Sequence, residues 1–354
     1  MDILILDQSF KSIAVLETFE SLIWTDRYNK YGDFEIYTSS TTDNLSILQP
    51  DYYLWTKESE HVMIVEDRGI DTDVEEGKHL TVIGRSLESI IGRRIVWKQT
   101  ILTGSFQNGI KLLLDENIIS PIDSNRRINN FIFEFSTDPS ILALTIDAQF
   151  TGDNLYDAIK SLCESNGVGF KVTLNDNNQF VFKLYSGKNR SYDQITNPYV
   201  VFSPNFENLV SSNYMESNKT LKTITLVAGE GEGTNRRTVT VSSSPATGIN
   251  RREMYTDARD ISSSVDGRTL TQEEYNAQLT ERGLEKLAEN VIIKSFEGQV
   301  EPDYMFKYGE DFFMGDIVQI ANEYGMESKS RVVELVRSQN KSGIDIYPTF
   351  SNVE

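Results

Sequence analysis

Very few residues of this sequence have the types and spacing that metal binding or cysteine chemistry needs. The chain contains two histidines, His61 and His79, and one cysteine, Cys163. One cysteine cannot form an intramolecular disulfide or a cysteine-based zinc site, and two histidines need at least a third ligand to hold a metal. Both histidines adjoin apolar strand-like segments, so we interpret them as residues of hairpin surfaces. The sequence predicts no metal and no cofactor.

Paired carboxylates are the chemistry of glycosidases, including those that cut cell walls. Because the chain has 53 acidic residues, spacing alone does not single out a pair. Asp311 and Asp316 in "YGEDFFMGDIV" are the most suggestive, but Gly315-Asp316 before "IVQI" is typical of a turn that leads into a strand. A Ser-His-Asp or Cys-His arrangement is not supported with two histidines. The sequence therefore predicts no catalytic residues.

Two loops resemble ligand-binding motifs only in part. The segment "AGEGEGTNRR" (228–237) follows the strand-like "TITLV", but it lacks the third glycine and the following helix of a dinucleotide fingerprint, and no Lys-Ser/Thr pair completes a phosphate loop. We interpret it as an acidic hairpin loop. The run 71–77 places Gly77 seventh, and Val82 stands where a calcium loop has its twelfth-position glutamate. That run predicts a hairpin tip.

The first 97 residues have the pattern of short strands joined by polar turns. Apolar and polar residues alternate, as in Phe34 and Ile36 against Glu35 and Tyr37. Turns such as "NKYGD" separate the strands. We predict strands at Ile3–Leu6, Ser12–Glu17, Ser21–Arg27, Gly32–Thr38, Tyr52–Thr56, Val62–Asp71 and Lys78–Gly84. These strands predict a small antiparallel barrel or sandwich.

Residues 98–204 predict an α+β insert. Ser105 can cap a helix that Pro121 ends, with an apolar stripe of Phe106, Ile110, Leu113 and Leu114. Asp153 or Thr151 can cap a second helix that stops at Gly167. A strand at 144–150 precedes this second helix, and the segment 168–185 predicts a hairpin with alternating apolar residues in both strands.

Residues 205–354 return to strands and contain one helix, at about 272–290. Thr271 and Glu274 form a capping-box pattern, and a narrow stripe of Tyr275, Leu279 and Leu287 predicts a helix on the outside of the fold. The fold class is therefore mainly β with an α+β insert. We predict three domains, a first β-barrel at 1–97, an accessory insert at 98–204 and a second β-barrel at 205–354.

Two segments share an order of residue classes. Around Leu48 the order is Leu48, two residues, Asp51, an apolar strand, a polar loop, "VMIVE" and a strand led by Gly77. Around Phe313 the order is Phe313, two residues, Asp316, an apolar strand, a polar loop, "RVVEL" and a strand led by Gly343. Loop lengths differ, so both chance and a duplicated barrel remain open.

Charge and hydropathy exclude some functions. Lys and Arg total 34 against 53 Asp and Glu, a net charge of 34 − 53 = −19. An extended nucleic-acid surface needs clustered cations, so we expect no sequence-specific nucleic-acid binding. Acidity of this size is typical both of ordinary soluble proteins and of a protein that lets DNA pass. The N-terminus lacks the pattern of a signal peptide, and no segment approaches the roughly 18 apolar residues of a membrane span.

Ten blocks of the sequence, in order, resemble the ReqiPepy-type siphophage tail proteins, a family similar to the N-terminal hub part of tail-associated lysins. None of the blocks is a catalytic signature. The blocks are "SLIWTDRYNKYGDFEIY", "VMIVED", "LTVIGRSLESIIGRRIVWKQT", "TGDNLYDAI", "GVGFKVTLN", "NPYVVFSPNFENLVSSNY", "VAGEGEGTNRRTVTV", "YTDARDISS", "YNAQLTERGLEKLAEN" and "KYGEDFFMGDIVQIANEYG".

The resemblance implies a structural, non-enzymatic baseplate hub at the tip of a phage tail or tail-like particle, assembled in the cytoplasm of the host bacterium. It implies a homotrimer in which two small barrel "tube" domains per chain give six similar units around a pore. The implied partners are the distal tail protein ring, the tape-measure protein and a fibre, spike or lysin. DNA would pass through the pore, and no stable membrane insertion is expected. Longer relatives continue beyond the position of Glu354, so a lytic or receptor-binding role is expected in a separate partner.

Four residues are predicted to serve this assembly. If Trp24, Phe34 and Ile36 fill the first barrel, Tyr28 and Tyr31 at the hairpin tip are available to a neighbouring subunit. A plain exposed hairpin tip is the alternative for both tyrosines. Glu230 and Glu232 are candidate pore-facing acids, because an acidic lumen repels phosphates.

Two other functions remain open on the sequence. An enzyme acting on peptidoglycan agrees with the kinship to tail-associated lysins but lacks a catalytic constellation. A module that binds host glycans agrees with the 16 tyrosines. Most aromatic residues, however, occupy alternating strand positions that suit a core rather than an exposed platform.

Overall fold

The computed structural model describes residues 1–73, 77–208, 211–265, 268–299, 305–322, 324 and 327–353. The chain forms two units, each made of segments that are distant in sequence. The first unit contains Met1–Ile90, Phe170–Met215 and Lys294–Glu354, and the second contains Ile91–Gly169 and Glu216–Ile293. No helix among the described residues is long and apolar enough to cross a membrane.

Residues 1–97 form the predicted strands. They are β1 (Ile3–Leu6), β2 (Ser12–Leu16), β3 (Ser21–Arg27), β4 (Asp33–Ser39), β5 (Tyr53–Trp55), β6 (Met63–Asp73) and β7 (Gly77–Ser86), with helix α1 (Thr42–Ile47) between β4 and β5. All seven predicted strands are confirmed, because period-two alternation is a clear signal in half-buried strands. A 3₁₀ helix at Leu87–Arg93 follows them.

The middle of the chain mixes helices and strands, as predicted. It contains β8 (Thr100–Ser105), α2 (Phe106–Leu114), β9 (Phe131–Glu134), α3 (Pro139–Leu142), β10 (Thr145–Phe150), α4 (Leu155–Ser165), β11 (Gly169–Leu174), β12 (Phe180–Tyr185) and β13 (Val201–Phe202). One π-helical turn, Asp115–Ile119, extends α2.

The last part of the chain contains one long helix among strands. Its elements are β14 (Ser211–Ser217), β15 (Ile224–Ala228), β16 (Thr238–Ser242), β17 (Glu253–Asp257), β18 (Ser264–Val265), β19 (Arg268–Thr269), α5 (Gln272–Ala288), β20 (Ile293–Gln299), β21 (Ile317–Ala321), β22 (Glu327–Asn340) and β23 (Gly343–Asn352). The mainly β fold class with α+β elements is confirmed.

Two helix caps differ in detail from the prediction. Asn154, rather than Asp153 or Thr151, caps α4, and its side-chain oxygen accepts bonds from the N–H groups of Tyr156 and Asp157. Asn is as good a cap as Asp, and Asn154 is the residue with extended backbone that directly precedes the helix. Ser105 occupies the cap position of α2 without a side-chain hydrogen bond.

The second unit packs α5 on a three-stranded sheet. The sheet order is β16-β15-β17. The capping box at Thr271 and Glu274 is present. The predicted stripe of α5 is buried in one apolar cluster with Val227 and Val241, and its members are Tyr275, Leu279 and Leu287.

In the described part of the first unit, thirteen strands form one sheet. The main path runs β14-β20-β23-β22-β3-β4-β7-β6-β5-β1-β2, and β21 pairs with β22 and with β13. The sheet contains one strand order twice. We name the run β3-β4-β7-β6-β5 the first repeat and the run β14-β20-β23-β22-β21 the second repeat.

The two repeats share a hydrogen-bond pattern at one turn. Asp51 N–H donates to Val65 O (2.8 Å) and Val65 N–H donates to Tyr52 O (2.9 Å). Gly315 N–H donates to Val332 O (2.8 Å) and Val332 N–H donates to Asp316 O (2.9 Å). The equivalent residues are thus Asp51 with Gly315 and Val65 with Val332.

The repeats also share a bulge and a register. The β6–β7 register shifts between Val65 and Asp67, and the β22–β23 register shifts between Val332 and Glu334. After each bulge, seven residue pairs lead to the hairpin, at Asp73–Gly77 and at Asn340–Gly343. Bulge position and register are specific features of a fold, so this agreement indicates a duplicated unit.

The two segments that the sequence matched are therefore equivalent, but their alignment differs from the predicted one by one residue. The sequence paired Asp51 with Asp316 because both are carboxylates. The structure pairs Asp51 (φ 62°) with Gly315 (φ 89°), because this turn requires a left-handed backbone.

Each repeat has its own apolar core. Trp24, Phe34 and Ile36 lie in the core of the first repeat, as predicted. Phe202, Phe312 and Phe350 lie in the core of the second. Leu54 on β5 and its equivalent Val318 on β21 are buried in the two cores.

The division into domains at 1–97, 98–204 and 205–354 stays a prediction. The β ladder between β22, near the end of the chain, and β3, near its beginning, bears on this division. Both repeats therefore belong to the first unit, and the α5 region belongs to the second.

Candidate functional site

A cleft of about 500 Å³ in the first unit collects most of its buried charges. Strand β3 contributes Asp26, strand β22 contributes Arg337, and the segment before β6 contributes His61. Tyr308 and Asp316 also line the cleft. This cleft, which we name the ionic cleft, is the candidate functional site.

An ion pair between Asp26 and Arg337 joins the two repeats. Arg337 Nη1 lies 2.6 Å from Asp26 Oδ2, and both side chains are almost fully buried. Asp26 also accepts hydrogen bonds from Ser59 Oγ at 2.8 Å and Trp24 Nε1 at 3.2 Å. These contacts, one of them charge-assisted, tie β3 to β22 and to the segment before β6.

His61 and Glu88 form a second buried pair. His61 Nδ1 lies 3.0 Å from Glu88 Oε1. Glu88 also accepts bonds from Val172 N–H at 2.7 Å and from the hydroxyl of Ser86. Burial opposes the charged imidazolium, but the carboxylates of Glu88 and Asp26 outweigh it and raise the pKa of His61 to about 9. Burial is likewise outweighed at Glu88, where His61 holds the pKa of the carboxyl below its usual value.

The prediction that both histidines lie on hairpin surfaces is wrong for His61, which is 5% exposed. The acidic partners that stabilise it, Glu88 and Asp26, are distant in sequence and are brought together by the sheet. His79 is partly exposed, stacks on Tyr37 with ring centroids 4.8 Å apart and lies 3.1 Å from Glu20. No group of three or more His, Cys, Asp or Glu side chains among the described residues could hold a metal.

Asp311 and Asp316, the most suggestive carboxylates of the sequence, lie in different surroundings. Asp316 is buried and pairs with Arg190 Nε at 2.6 Å. It also accepts bonds from the N–H groups of Lys188 at 2.6 Å and Phe313 at 3.1 Å. Asp311 accepts a bond from Lys307 N–H at 2.9 Å in an exposed turn. A general acid or base must reach the substrate with a carboxyl oxygen, and these contacts occupy both oxygens of Asp316.

Tyr28 does not lie at an exposed tip. Its N–H donates to Val333 O at 2.9 Å, because β22 continues beside the chain after β3 ends. The ring is 1% exposed and packs edge-on against Tyr185 at 5.2 Å. The Arg331 guanidinium lies 5.1 Å from the ring centroid. The prediction that the Tyr28 ring is available to a neighbouring subunit is therefore wrong.

The other predicted site residues stay predictions. Tyr31 is partly exposed, with the Arg85 guanidinium 5.0 Å from its ring centroid. Glu230 and Glu232 lie in the loop between β15 and β16, which confirms the hairpin. Glu230 accepts a bond from Ser263 Oγ at 2.5 Å, and this bond lowers the pKa of the Glu230 carboxyl. Glu232 is exposed.

Comparisons with known proteins agree with a phage origin. A family model described as Siphovirus ReqiPepy6 Gp37-like protein matches residues 2–351. No curated protein matches the chain.

Several solved structures of tail proteins share the fold at low identity. Prophage tail protein gp18 of Listeria monocytogenes EGD-e is 16% identical with a TM-score of 0.57, over 100% of this chain and 95% of that chain. The 43 kDa tail protein of prophage MuSo2 from Shewanella oneidensis is 11% identical with a TM-score of 0.58, over 100% and 98%. The tail protein of Neisseria meningitidis MC58 is 10% identical with a TM-score of 0.57, over 99% and 96%.

Proposed function

Because the chain belongs to the Siphovirus ReqiPepy6 Gp37-like protein family, we propose that it is a structural hub at the distal end of a phage tail. In this proposal three copies form a ring that continues the tail tube and carries the tip. The ionic cleft then serves to hold the two repeats of one chain together, and it performs no catalysis. The buried charges that line it, Asp26, Arg337, His61 and Asp316, are all engaged in ion pairs.

The duplication in the first unit is the observation that carries the proposal. A trimer of chains with two repeats each presents six similar units around its axis. Such a ring matches a sixfold tube above it and a threefold tip below it. Closed rings of this type arise when each unit contacts the next by the same pair of surfaces.

The charge of the chain supports a passage for DNA. Three chains carry 3 × (−19) = −57 charges. An acidic lumen repels phosphates, so DNA or an ejected tape-measure protein passes without binding. We assign Glu230 and Glu232 to this lumen.

The proposed partners follow from the position at the tail tip. They are the distal tail protein ring above the hub, the tape-measure protein inside it, and a fibre, spike or lysin below it. Assembly takes place in the cytoplasm of the host before release of the particle. Tyr31, which is partly exposed, is assigned to a contact between subunits.

Light scattering and negative-stain microscopy of the purified protein test the proposal. We expect a species of three times 40.3 kDa that appears as a ring with a central hole. Tails purified from a producing strain should carry the protein at one end only, which gold-labelled antibody can locate. Labelling along the whole tail, or absence from tails, would contradict the hub.

A further inference from the structure

The contact between the two repeats of one chain is a β ladder of known register. The second half of β22 pairs antiparallel with β3, from Glu334 opposite Arg27 to Asn340 opposite Ser21. Within this ladder Val336 lies opposite Thr25. The ladder joins the β22 edge of the second repeat to the β3 edge of the first.

The equivalent edges, on β6 of the first repeat and β14 of the second, lie on the two outer sides of the pair of repeats. Strand β6 is the equivalent of β22, because both follow the same turn and carry the same bulge. Strand β14 is the equivalent of β3, because it stands at the end of the sheet beside β20 as β3 stands beside β4. The sequence agrees, since Trp24-Thr25-Asp26 on β3 matches Tyr214-Met215-Glu216 on β14.

Burial differs between the two equivalent edges. On β22, Leu335 and Arg337 are buried beside β3. Leu335 and Arg337 lie three and five residues after Val332, and their equivalents three and five residues after Val65 are Arg68 and Ile70. Both Arg68 and Ile70 are exposed. From residues 67 to 72, β6 pairs with β7, while β5 pairs only with Met63 and Ile64 of β6. A regular, exposed strand edge is a template for another strand.

We infer that residues 67–72 of β6 pair with β14 of a second copy of this chain, in the register that β22 uses with β3. This inference rests on the proposed ring of three chains. Counting from the bulges, Gly69 is the equivalent of Val336. Met215 is taken as the equivalent of Thr25, because each is the fifth residue of its seven-residue strand. Gly69 of one copy therefore lies opposite Met215 of the next, and the contact covers Ile70 and Met215, which are 56% and 49% exposed in the single chain.

The contact is of the head-to-tail kind. Each chain offers β6 to one neighbour and β14 to the other, so the pairing closes only as a ring. Because the ladder within the chain and the ladder between chains use equivalent edges, they give a continuous sheet through all copies.

Cysteine cross-linking reads out the register. Residues directly opposite in an antiparallel pair are about 4.5–5.5 Å apart at Cα, within the range that a disulfide spans. A Cβ at Gly69 meets no atom within 4 Å, so Gly69→Cys fits the fold. We expect the full chain with G69C and M215C, in assembled tails under mild oxidation, to give disulfide-linked dimers and trimers.

The matched control moves one cysteine along β6. Thr72→Cys with Met215→Cys shifts the pair by three residues, about 10 Å along the strand, which prevents a disulfide. The native Cys163 is buried and is left in place. Cross-links in the shifted pair as strong as in G69C with M215C would overturn the register.

A charge on the edge gives an independent readout. Ile70→Asp should weaken ring formation by about tenfold or more, while Ile195→Asp, at a residue 94% exposed, should leave it unchanged. Tails that contain the hub without G69C–M215C cross-links, or rings that tolerate I70D, would overturn this inference and leave the hub standing. Absence of the unaltered protein from tails would overturn both.

Discussion

Replacing Arg337 with methionine should destabilise the protein strongly, because the substitution leaves a buried carboxylate without its cation. The Arg337 and Asp26 side chains lie 2.6 Å apart and are 6% and 4% exposed. Losing one partner of such a pair costs about 3–5 kcal/mol, because the remaining charge stays desolvated. Ser59 and Trp24 still donate to Asp26, so we expect the lower end of that range, about 3 kcal/mol.

Urea unfolding followed by tryptophan fluorescence measures this loss, since the Trp24 indole bonds directly to Asp26. Arg251→Met is the matched control, because Arg251 pairs with Glu253 where the side chains are 43% and 65% exposed. Exposed pairs contribute about 1 kcal/mol or less. Adding Asp26→Asn to R337M removes the orphaned charge and should recover part of the stability. A free energy of unfolding for R337M that equals that of R251M would refute the reasoning.

Two further predictions concern His61 and the shared turn. Folding raises the pKa of His61 from 6.5 to about 9. The stability that the charged His61 contributes is therefore complete below about pH 6.5 and is lost as the pH rises through 9. The urea midpoint of the native protein should fall across that pH range, and His61→Gln should reduce the fall. Gly315→Ala should cost more than about 2 kcal/mol in thermal unfolding, because φ is 89° and a Cβ would lie 2.3 Å from the Tyr28 ring. Asp51→Gly, at the equivalent turn with φ 62°, should change stability by less than about 1 kcal/mol; equal losses at the two turns would contradict their different surroundings.

The strands and helices were predictable because their signals are local. Alternation over five to seven residues identifies β3 and β4, and a capping box with an apolar stripe identifies α5. The one-residue error in the repeat has a local cause as well. Residue classes cannot show that Asp51 and Gly315 share a left-handed backbone, since one is acidic and the other is glycine.

The ionic cleft was not predictable, because its partners meet only in the folded sheet. Asp26 and Arg337 are 311 residues apart in the chain. The ladder between β22 and β3 that brings them together also buries Tyr28, which the sequence placed at a hairpin tip. The sequence contained one signal. His61 and Glu88 both flank apolar segments, and charged groups that become buried are normally paired.

The two junctions of the proposed ring need different chemistry, and the residues at the equivalent positions differ accordingly. The junction within a chain forms once, during folding, and it contains the buried pair of Asp26 with Arg337. Burying one charge without its partner is costly. Within one chain both partners are always present, so they are buried together when the chain folds. At the proposed junction between chains, Ile70 is the equivalent of Arg337. This position therefore leaves no unpaired charge while a subunit is still alone. The neighbouring Asp67, Arg68 and Asp71 are exposed charges on the same strand, and such charges keep a free edge from pairing at random before assembly.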